Sequence, residues 1–146
     1  MKYLSIDYGL KRTGLAVCDR EERIVSPYEV IDTCGDPAAR IAEIIKEEEI
    51  EAVVAGLPYN MDGSEGGQAK IVRKFTDQLK KILPEIELHF QDERLSTFSA
   101  NEKLAEAEFT RGKKKKRLDA VAAAEILQAF LDHKNISNHE RHEKNK

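Results

Sequence analysis

Alternating apolar and polar side chains predict three strands at the start of the chain. Residues 3–8 place aliphatic side chains on one face and mostly polar side chains on the other, and a period of two is typical of a half-buried strand. After a glycine-flanked turn, residues 15–18 form a returning strand, and residues 24–31 form a third. Pro27 interrupts this third strand early, so we expect it at an edge of the sheet, where proline is tolerated.

Two helices and two further strands follow from the next part of the pattern. A capping aspartate and a proline start the first helix, whose apolar residues keep helical spacing over residues 37–48. Residues 52–55 are continuously apolar, which is typical of a strand buried on both faces, and residues 86–90 alternate as a fifth strand. A second helix lies between these strands and ends before Pro84. Its predicted inward-facing positions are Ala69, Val72, Phe75, Leu79 and Ile82.

The last third of the chain is predicted to contain helices separated by a basic loop. A short helix reaches about residue 108, and a last helix covers about residues 118–132 with its apolar residues on one stripe. Residues 133–146 contain one aliphatic residue and are predicted to form a polar, disordered tail. Residues 1–132 then form a single α/β domain, a five-stranded mixed sheet flanked by helices on both faces.

Length and composition exclude several classes of protein. The chain has 146 residues, of which 40% are hydrophobic and 35% charged, and this composition fits one soluble domain with its own core. Its apolar runs stop at about eight residues, whereas a membrane span needs about 20. Two cysteines are too few for a disulfide scaffold, and Asp7 lies where a signal peptide would be apolar. We therefore expect a cytoplasmic protein with no membrane partner.

A cluster of basic residues contrasts with the net charge of −3. Six of the seven residues at 111–117 are Lys or Arg, and like charges that cannot pack together predict a solvated loop. A charged surface loop is the simpler interpretation of this cluster taken alone. Binding of nucleic acid or of another polyanion is the second interpretation.

Carboxylates come from three separate parts of the predicted fold. Asp7 lies near the end of the first strand, and Asp119 opens the apolar stripe of the last helix. Asp92 and Glu93 follow the fifth strand. If the first and fifth strands run parallel, the acids meet at one edge of the sheet, where open α/β sheets bind ligands. Converging carboxylates need a counter-charge, which a hard divalent cation such as Mg²⁺ supplies.

Each of these acids also has a structural interpretation. Asp7 can cap the turn that follows it, and Asp119 can stabilise a helix N-terminus. Asp92 and Glu93 can be polar loop residues. Taken together, the acids instead predict a site for two metal ions that activates a water molecule and stabilises the leaving oxygen in phosphodiester hydrolysis. The residues alone do not choose between Asp92 and Glu93.

Several short motifs follow one another along the chain. They are DYG at 7–9, GLAV at 14–17, GLP at 56–58, NMDG at 60–63, DERLST at 92–97 and DAVAA at 119–123. In this order and spacing they resemble the YqgF family, whose members are called Holliday junction resolvases or pre-16S rRNA nucleases and have a ribonuclease H-like fold. The resemblance implies Asp7, Glu93 and Asp119 as the metal-binding catalytic residues, with Mg²⁺ or Mn²⁺, and it favours Glu93 over Asp92.

The resemblance also implies a substrate. We expect a nuclease that processes the 5′ end of pre-16S rRNA in ribosome biogenesis, with the small-subunit precursor as a partner. Resolvases of the same fold carry a fourth carboxylate one helical turn after the third, and Ala122 occupies that position here. Cleavage of branched DNA is therefore the alternative, and a module that binds RNA without cleaving it is a further one. The chain itself is expected to be a monomer or a weak homodimer.

Basic and polar residues near the predicted metal edge are candidates for holding the substrate. Arg94 stands next to Glu93 and can hold a phosphate bidentately or pair with Asp92. The loop at residues 56–64 offers backbone N–H groups and polar side chains. The predicted substrate-binding residues are Lys11, Arg12, Asn60, Ser64, Arg94, Lys113, Lys114, Lys115 and Lys116.

Overall fold

The computed structural model describes residues 1–93 and 120–135. In chain order, its strands and helices are β1 (Tyr3–Tyr8), β2 (Arg12–Cys18), β3 (Val25–Asp32), α1 (Pro37–Glu47), β4 (Ala52–Leu57), α2 (Gly67–Ile82) and β5 (Glu87–Asp92). Residues 120–135 are helical and are called the C-terminal helix; they extend three residues past the predicted end at 132. The predicted short helix, the basic loop at 111–117 and residues 136–146 lie outside the described residues. Within residues 1–93 and 120–135, no helix is long and apolar enough to cross a membrane.

The five strands form one mixed sheet in the order β3-β2-β1-β4-β5. β2 is antiparallel to both of its neighbours, whereas β4 is parallel to β1 and to β5. Helix α2 makes the crossover that the parallel pair of β4 and β5 requires. The carboxyl ends of β1, β4 and β5 therefore share one edge of the sheet.

Strand β3 lies at an edge of the sheet, as Pro27 predicts. Pro27 pairs with Ala16 and Glu29 pairs with Leu15, so that Tyr28 is an extra residue in this strand. A bulge at an edge tolerates a residue without an N–H group. Helix α1 holds this edge through its Arg40, whose guanidinium donates two hydrogen bonds of 2.9 Å to the Glu29 carboxylate. These bonds lower the pKa of Glu29.

Helices cover both faces of the sheet, and each face has its own apolar core. On one face, α1 and α2 pack against Leu4, Ile6 and Val53. On the other face, the C-terminal helix packs against Tyr3 and Val54. The predicted α/β architecture with helices on both faces is confirmed.

The C-terminal helix runs antiparallel to β1. Phe130 contacts Tyr3 near the start of β1, with ring centroids 5.3 Å apart. Seven residues earlier in the helix, Ala123 lies beside Ser5, whose Oγ donates a 2.6 Å hydrogen bond to the Ala123 carbonyl. The helix therefore comes from the carboxyl end of β1, which is the end that carries Asp7.

Several strand boundaries differ from the prediction. β2 begins three residues earlier than predicted, because Arg12 pairs with Asp32 of β3. β4 and β5 both run longer than predicted, because Leu57 pairs with Asp92 at their carboxyl ends. The prediction that Asp92 follows the fifth strand is therefore wrong: Asp92 ends β5, and Glu93 is the first residue beyond it.

The predicted inward position of Ile82 is also wrong, because this residue is 47% exposed. The buried stripe of α2 runs through Phe75, Thr76 and Leu79. It continues to Leu83, four residues after Leu79, which packs against the core. Ile82 is the last residue of α2 and falls beside this stripe.

The core under the C-terminal helix can be tested through Leu127, which is fully buried there. We expect Leu127→Ala to lower the free energy of unfolding by about 2–5 kcal/mol, because it leaves a cavity between helix and sheet. The neighbouring Gln128 is exposed, so Gln128→Ala should change stability by no more than about 0.5 kcal/mol. Urea unfolding of the two variants measures the contrast. Equal effects would mean that the helix does not pack as described.

Candidate active site

The pleat of the strands directs Asp7 and Glu93 to the same face of the sheet. Side chains alternate between the faces of a strand, so Asp7 shares the face of Ser5, which bonds to the C-terminal helix. On β5, Gln91 lies on that face as well, 3.3 Å from the ring of His133 in the C-terminal helix. Glu93 is two residues further on and keeps the same side. Asp92 falls on the alternate set of positions, which faces α2.

Glycines flank Asp7 on the strands next to it. Asp7 pairs directly with Gly14 of β2. On the other side, Ile6 pairs with Ala55 of β4, so the next residues along these strands, Asp7 and Gly56, are also neighbours. The positions beside Asp7 on β2 and β4 therefore carry no side chain next to the Asp7 carboxylate.

The side chain of Glu93 extends over Gly56 of β4 towards Asp7. A β-carbon built on Gly56 would lie 2.8 Å from Oε1 of Glu93 and 3.1 Å from its Cγ, so the Glu93 side chain lies directly over the glycine. Its carboxyl group forms a hydrogen bond with that of Asp7. Acids from β1 and from the end of β5 thus meet across β4, which lies between them in the sheet.

The electrostatics of this pair are unfavourable for two full negative charges. Burial raises the pKa of Glu93, the hydrogen bond from Asp7 lowers it, and the negative charge of Asp92 raises it again. The net result is a pKa above that of an ordinary glutamate. A hydrogen bond between two carboxyl groups needs a shared proton, or a cation in its place.

The donor set fits a hard divalent cation. Both side chains offer carboxylate oxygens, the ligands that Mg²⁺ prefers, and Mg²⁺ needs only a few of them because it keeps several waters. Within residues 1–93 and 120–135, no group of three or more metal-ligating side chains occurs. Asp119, the third predicted ligand, lies outside the described residues. Ala120, which follows it in the chain, starts the described helix one turn before Ala123.

Lys11 and Arg12 lie at the same end of the sheet as Asp7, in and just after the turn between β1 and β2. They line a surface cavity of about 680 Å³ together with Asp32 and Cys34. The turn is so tight that a β-carbon on Gly9 would clash with the carbonyl oxygen of Arg12. Two of the predicted substrate-binding cations therefore line an open surface over β2 and β3, at the same end of the sheet as Asp7.

Asn60 and Ser64 form hydrogen bonds within their own loop. Nδ2 of Asn60 donates to Oγ of Ser64 over 3.1 Å, and Oγ of Ser64 donates to Oδ1 of Asp62 over 2.6 Å. Gly63 adopts a φ of 89°, a conformation that favours glycine. These bonds shape the loop that follows β4. The other predicted substrate-binding residues, Arg94, Lys113, Lys114, Lys115 and Lys116, lie outside the described residues.

Sequence reasoning placed Gly56 in a motif but missed its contact with Glu93. A glycine inside an apolar strand often marks a close approach of another group. That signal was present at Gly56, which interrupts the apolar run of β4. It does not say which group approaches, because the contact depends on the register of three strands.

A sequence model of one family, described as RuvX: Holliday junction resolvase, matches residues 1–133. The chain belongs to this family. Relatives support the same assignment. A protein of Endomicrobium trichonymphae is 42% identical over 134 residues, which cover 90% of this chain and 95% of that protein. A protein of Staphylococcus carnosus is 38% identical over 135 residues, with coverage of 90% and 95%. Both carry the name "Putative pre-16S rRNA nuclease".

Solved structures of resolvases show the same fold as this RuvX-family chain. The Fowlpox virus resolvase, in complex with its substrate Holliday junction DNA, aligns with a TM-score of 0.61 at 13% identity and covers 91% of this chain and 98% of its own. T. thermophilus RuvC, in complex with a Holliday junction substrate, aligns with a TM-score of 0.56 at 16% identity, with coverage of 93% and 96%. The predicted ribonuclease H-like fold is confirmed, and the family and relatives make the chain a nuclease.

The acid pair of this RuvX-family chain predicts a pH signature in stability. Because the pKa of Glu93 is raised in the folded protein, stability falls as the pH rises from the ordinary glutamate value through the raised one. Glu93→Gln removes this penalty. We therefore expect the variant to unfold at a higher temperature than the parent chain at pH 7 in EDTA, with the gain disappearing near about pH 4.

Thermal unfolding between pH 4 and pH 8 measures this difference. Glu85→Gln is the matched control, because Glu85 is an exposed glutamate before β5 and should shift the curve little at any pH. A Glu93→Gln variant that is less stable than the parent chain at pH 7 would contradict the described electrostatics.

Proposed function

We propose that this chain is a divalent-metal-dependent nuclease that trims the 5′ end of pre-16S rRNA in the cytoplasm. The observation that carries the proposal is the contact between Asp7 and Glu93 at the carboxyl edge of the sheet. Two half-buried acids in contact need a counter-charge, and a divalent cation supplies one that the phosphate of a substrate can share in phosphodiester hydrolysis. The names of relatives at 42% and 38% identity support pre-16S rRNA as the substrate.

Asp7, Glu93 and Asp119 would hold Mg²⁺ or Mn²⁺. The bound ions would activate a water molecule and stabilise the leaving oxygen of the phosphodiester. The protein's own contribution is to hold the acids in place: Asp7 on the central strand and Glu93 braced over β4. In the sequence, Asp119 comes directly before Ala120, where the described helix starts near the Asp7 end of the sheet. This order along the chain supports Asp119 as the third ligand.

The nucleic-acid substrate would lie along the basic side chains near this edge of the sheet. Lys11 and Arg12 line the open surface over β2 and β3 and would contact phosphates on the β2 side of Asp7. The loop with Asn60 and Ser64 follows β4 and would contact the substrate on the other side. Arg94 and the four lysines at 113–116 would add further phosphate contacts. The small-subunit precursor would then be the partner, bound by a monomer or a weak homodimer.

Cleavage of Holliday junctions is the second candidate, and the description of the family favours it. The position one turn after Asp119 is Ala122, which is buried in the C-terminal helix and offers no fourth carboxylate. We therefore place RNA first. The two candidates share the proposed metal ligands and differ in the substrate that is cleaved.

Replacing single carboxylates tests the mechanism. We expect Asp7→Asn, Glu93→Gln and Asp119→Asn each to abolish cleavage of a precursor rRNA in Mg²⁺ or Mn²⁺, because each amide loses the charge that binds the ion. Glu85→Gln is the matched control, since Glu85 is an exposed acid before β5, and it should retain activity. Full cleavage by Asp7→Asn, or by the parent chain in EDTA, would contradict the proposal.

The same assay separates the candidate functions. Cleavage of a four-way DNA junction is measured in parallel with cleavage of the precursor rRNA. Cleavage of the junction alone would favour the resolvase. Binding of RNA without cleavage of either substrate, in any divalent metal, would favour a module that only binds RNA.

The basic loop predicts a salt dependence. Each phosphate neutralised by Lys or Arg adds about −0.7 to −0.9 to the slope of log affinity against log salt concentration. If Lys113, Lys114, Lys115 and Lys116 contact the substrate, replacing all four with Ala should flatten this slope by about two to four. Affinity should fall alike for different sequences, because phosphate contacts carry no base information. An unchanged slope, measured on a folded variant, would mean that the four lysines do not contact the substrate.

A further inference from the structure

We infer that Gly56 is a positioning residue for Glu93: its lack of a side chain is what allows the Glu93 carboxyl group to lie across β4 and meet Asp7. The inference rests on the proposed function, because it matters for catalysis only if Glu93 and Asp7 bind metal. It assigns a role to a residue of the sheet interior that itself has no chemical group to offer.

The space over Gly56 is filled from two sides. Oε1 and Cγ of Glu93 lie 2.8 Å and 3.1 Å from the point where a β-carbon would be, and Cδ1 of Ile126 lies 2.5 Å from it. Real β-carbons are essentially never closer than 3.0 Å to such atoms. An alanine would therefore have to displace Glu93, Ile126 or both.

Gly35 and Gly67 do not face this constraint, whereas Gly9 is close only to the backbone of its own turn. Gly67 has no atom within 4 Å of the corresponding point, and Gly35 has only a carbonyl oxygen at 3.5 Å. Gly56 differs because two side chains meet above it, that of Glu93 directly after β5 and that of Ile126 in the C-terminal helix. The space over Gly56 thus links the position of Glu93 to the packing of the C-terminal helix on the sheet.

The two contacts have different consequences. Ile126 belongs to the apolar core under the C-terminal helix, so moving its terminal methyl group affects packing and stability. Moving Glu93 changes the separation of two carboxyl groups, and metal ligands need their geometry within about 0.5 Å. Removing Cδ1 of Ile126 would relieve the first contact and leave the second.

The experiment uses the full chain in four forms: parent, Gly56→Ala, Ile126→Val and the double variant. Calorimetric titration with Mn²⁺ gives the apparent Kd, unfolding in EDTA gives the stability, and cleavage kinetics give kcat and KM. Gly67→Ala is the matched control, because its new methyl group enters open space. If Gly56→Ala does not fold, the double variant alone carries the comparison with Ile126→Val.

We expect Gly56→Ala and the double variant both to raise the apparent Kd for Mn²⁺ by about 10–100-fold, as for other groups that orient metal ligands. The double variant should regain most of the stability that Gly56→Ala loses, while its Mn²⁺ affinity and kcat stay low and its KM stays near that of the parent. Ile126→Val and Gly67→Ala should bind Mn²⁺ as the parent does.

Parent-like Mn²⁺ affinity in the folded double variant would overturn the inference and make Gly56 a packing residue only. Failure of the proposed function looks different. In that case Glu93→Gln would bind Mn²⁺ and cleave RNA as the parent does, whatever substitution stands at Gly56.

Discussion

The contact between Asp7 and Glu93 is the constraint around which the rest of the site is built. Two acids rarely meet inside a protein unless something neutralises them, and burial here raises the pKa of Glu93. The sheet supports the contact with β1 at its centre, a glycine in β4 and the end of β5 at Asp92, directly before Glu93. Without metal, this contact destabilises the folded protein, as expected for a site whose acids are arranged to bind a cation.

Much of the fold could be predicted from the pattern of residues along the chain. The alternation of apolar and polar residues predicted β1 and β5, and Pro27 predicted that β3 is an edge strand. The choice between Asp92 and Glu93 could not be made from residues alone, because a shift of one residue at the end of a strand sends the side chain to the opposite face. The resemblance to a family favoured Glu93, and the pleat of β5 gives the physical reason.

Features that depend on contacts between distant parts of the chain escaped prediction. The space over Gly56 depends on the pairing of β1 with β4 and of β4 with β5, and on the C-terminal helix that brings Ile126 there. Ile82 looked like a core position by spacing, but the stripe of α2 turns to Leu83 at the end of the helix. Asp119, Arg94 and the basic loop stay predictions, since they lie outside the described residues.

In the site proposed for this chain, Asp7 and Glu93 bind one divalent cation between them. The most direct measurement is anomalous diffraction at the manganese edge from crystals of the parent chain soaked in Mn²⁺. We expect a peak about 2.0–2.5 Å from a carboxylate oxygen of each residue, in place of their mutual hydrogen bond. Crystals in which the two carboxyl groups still share a proton at saturating Mn²⁺, with any peak elsewhere, would contradict it.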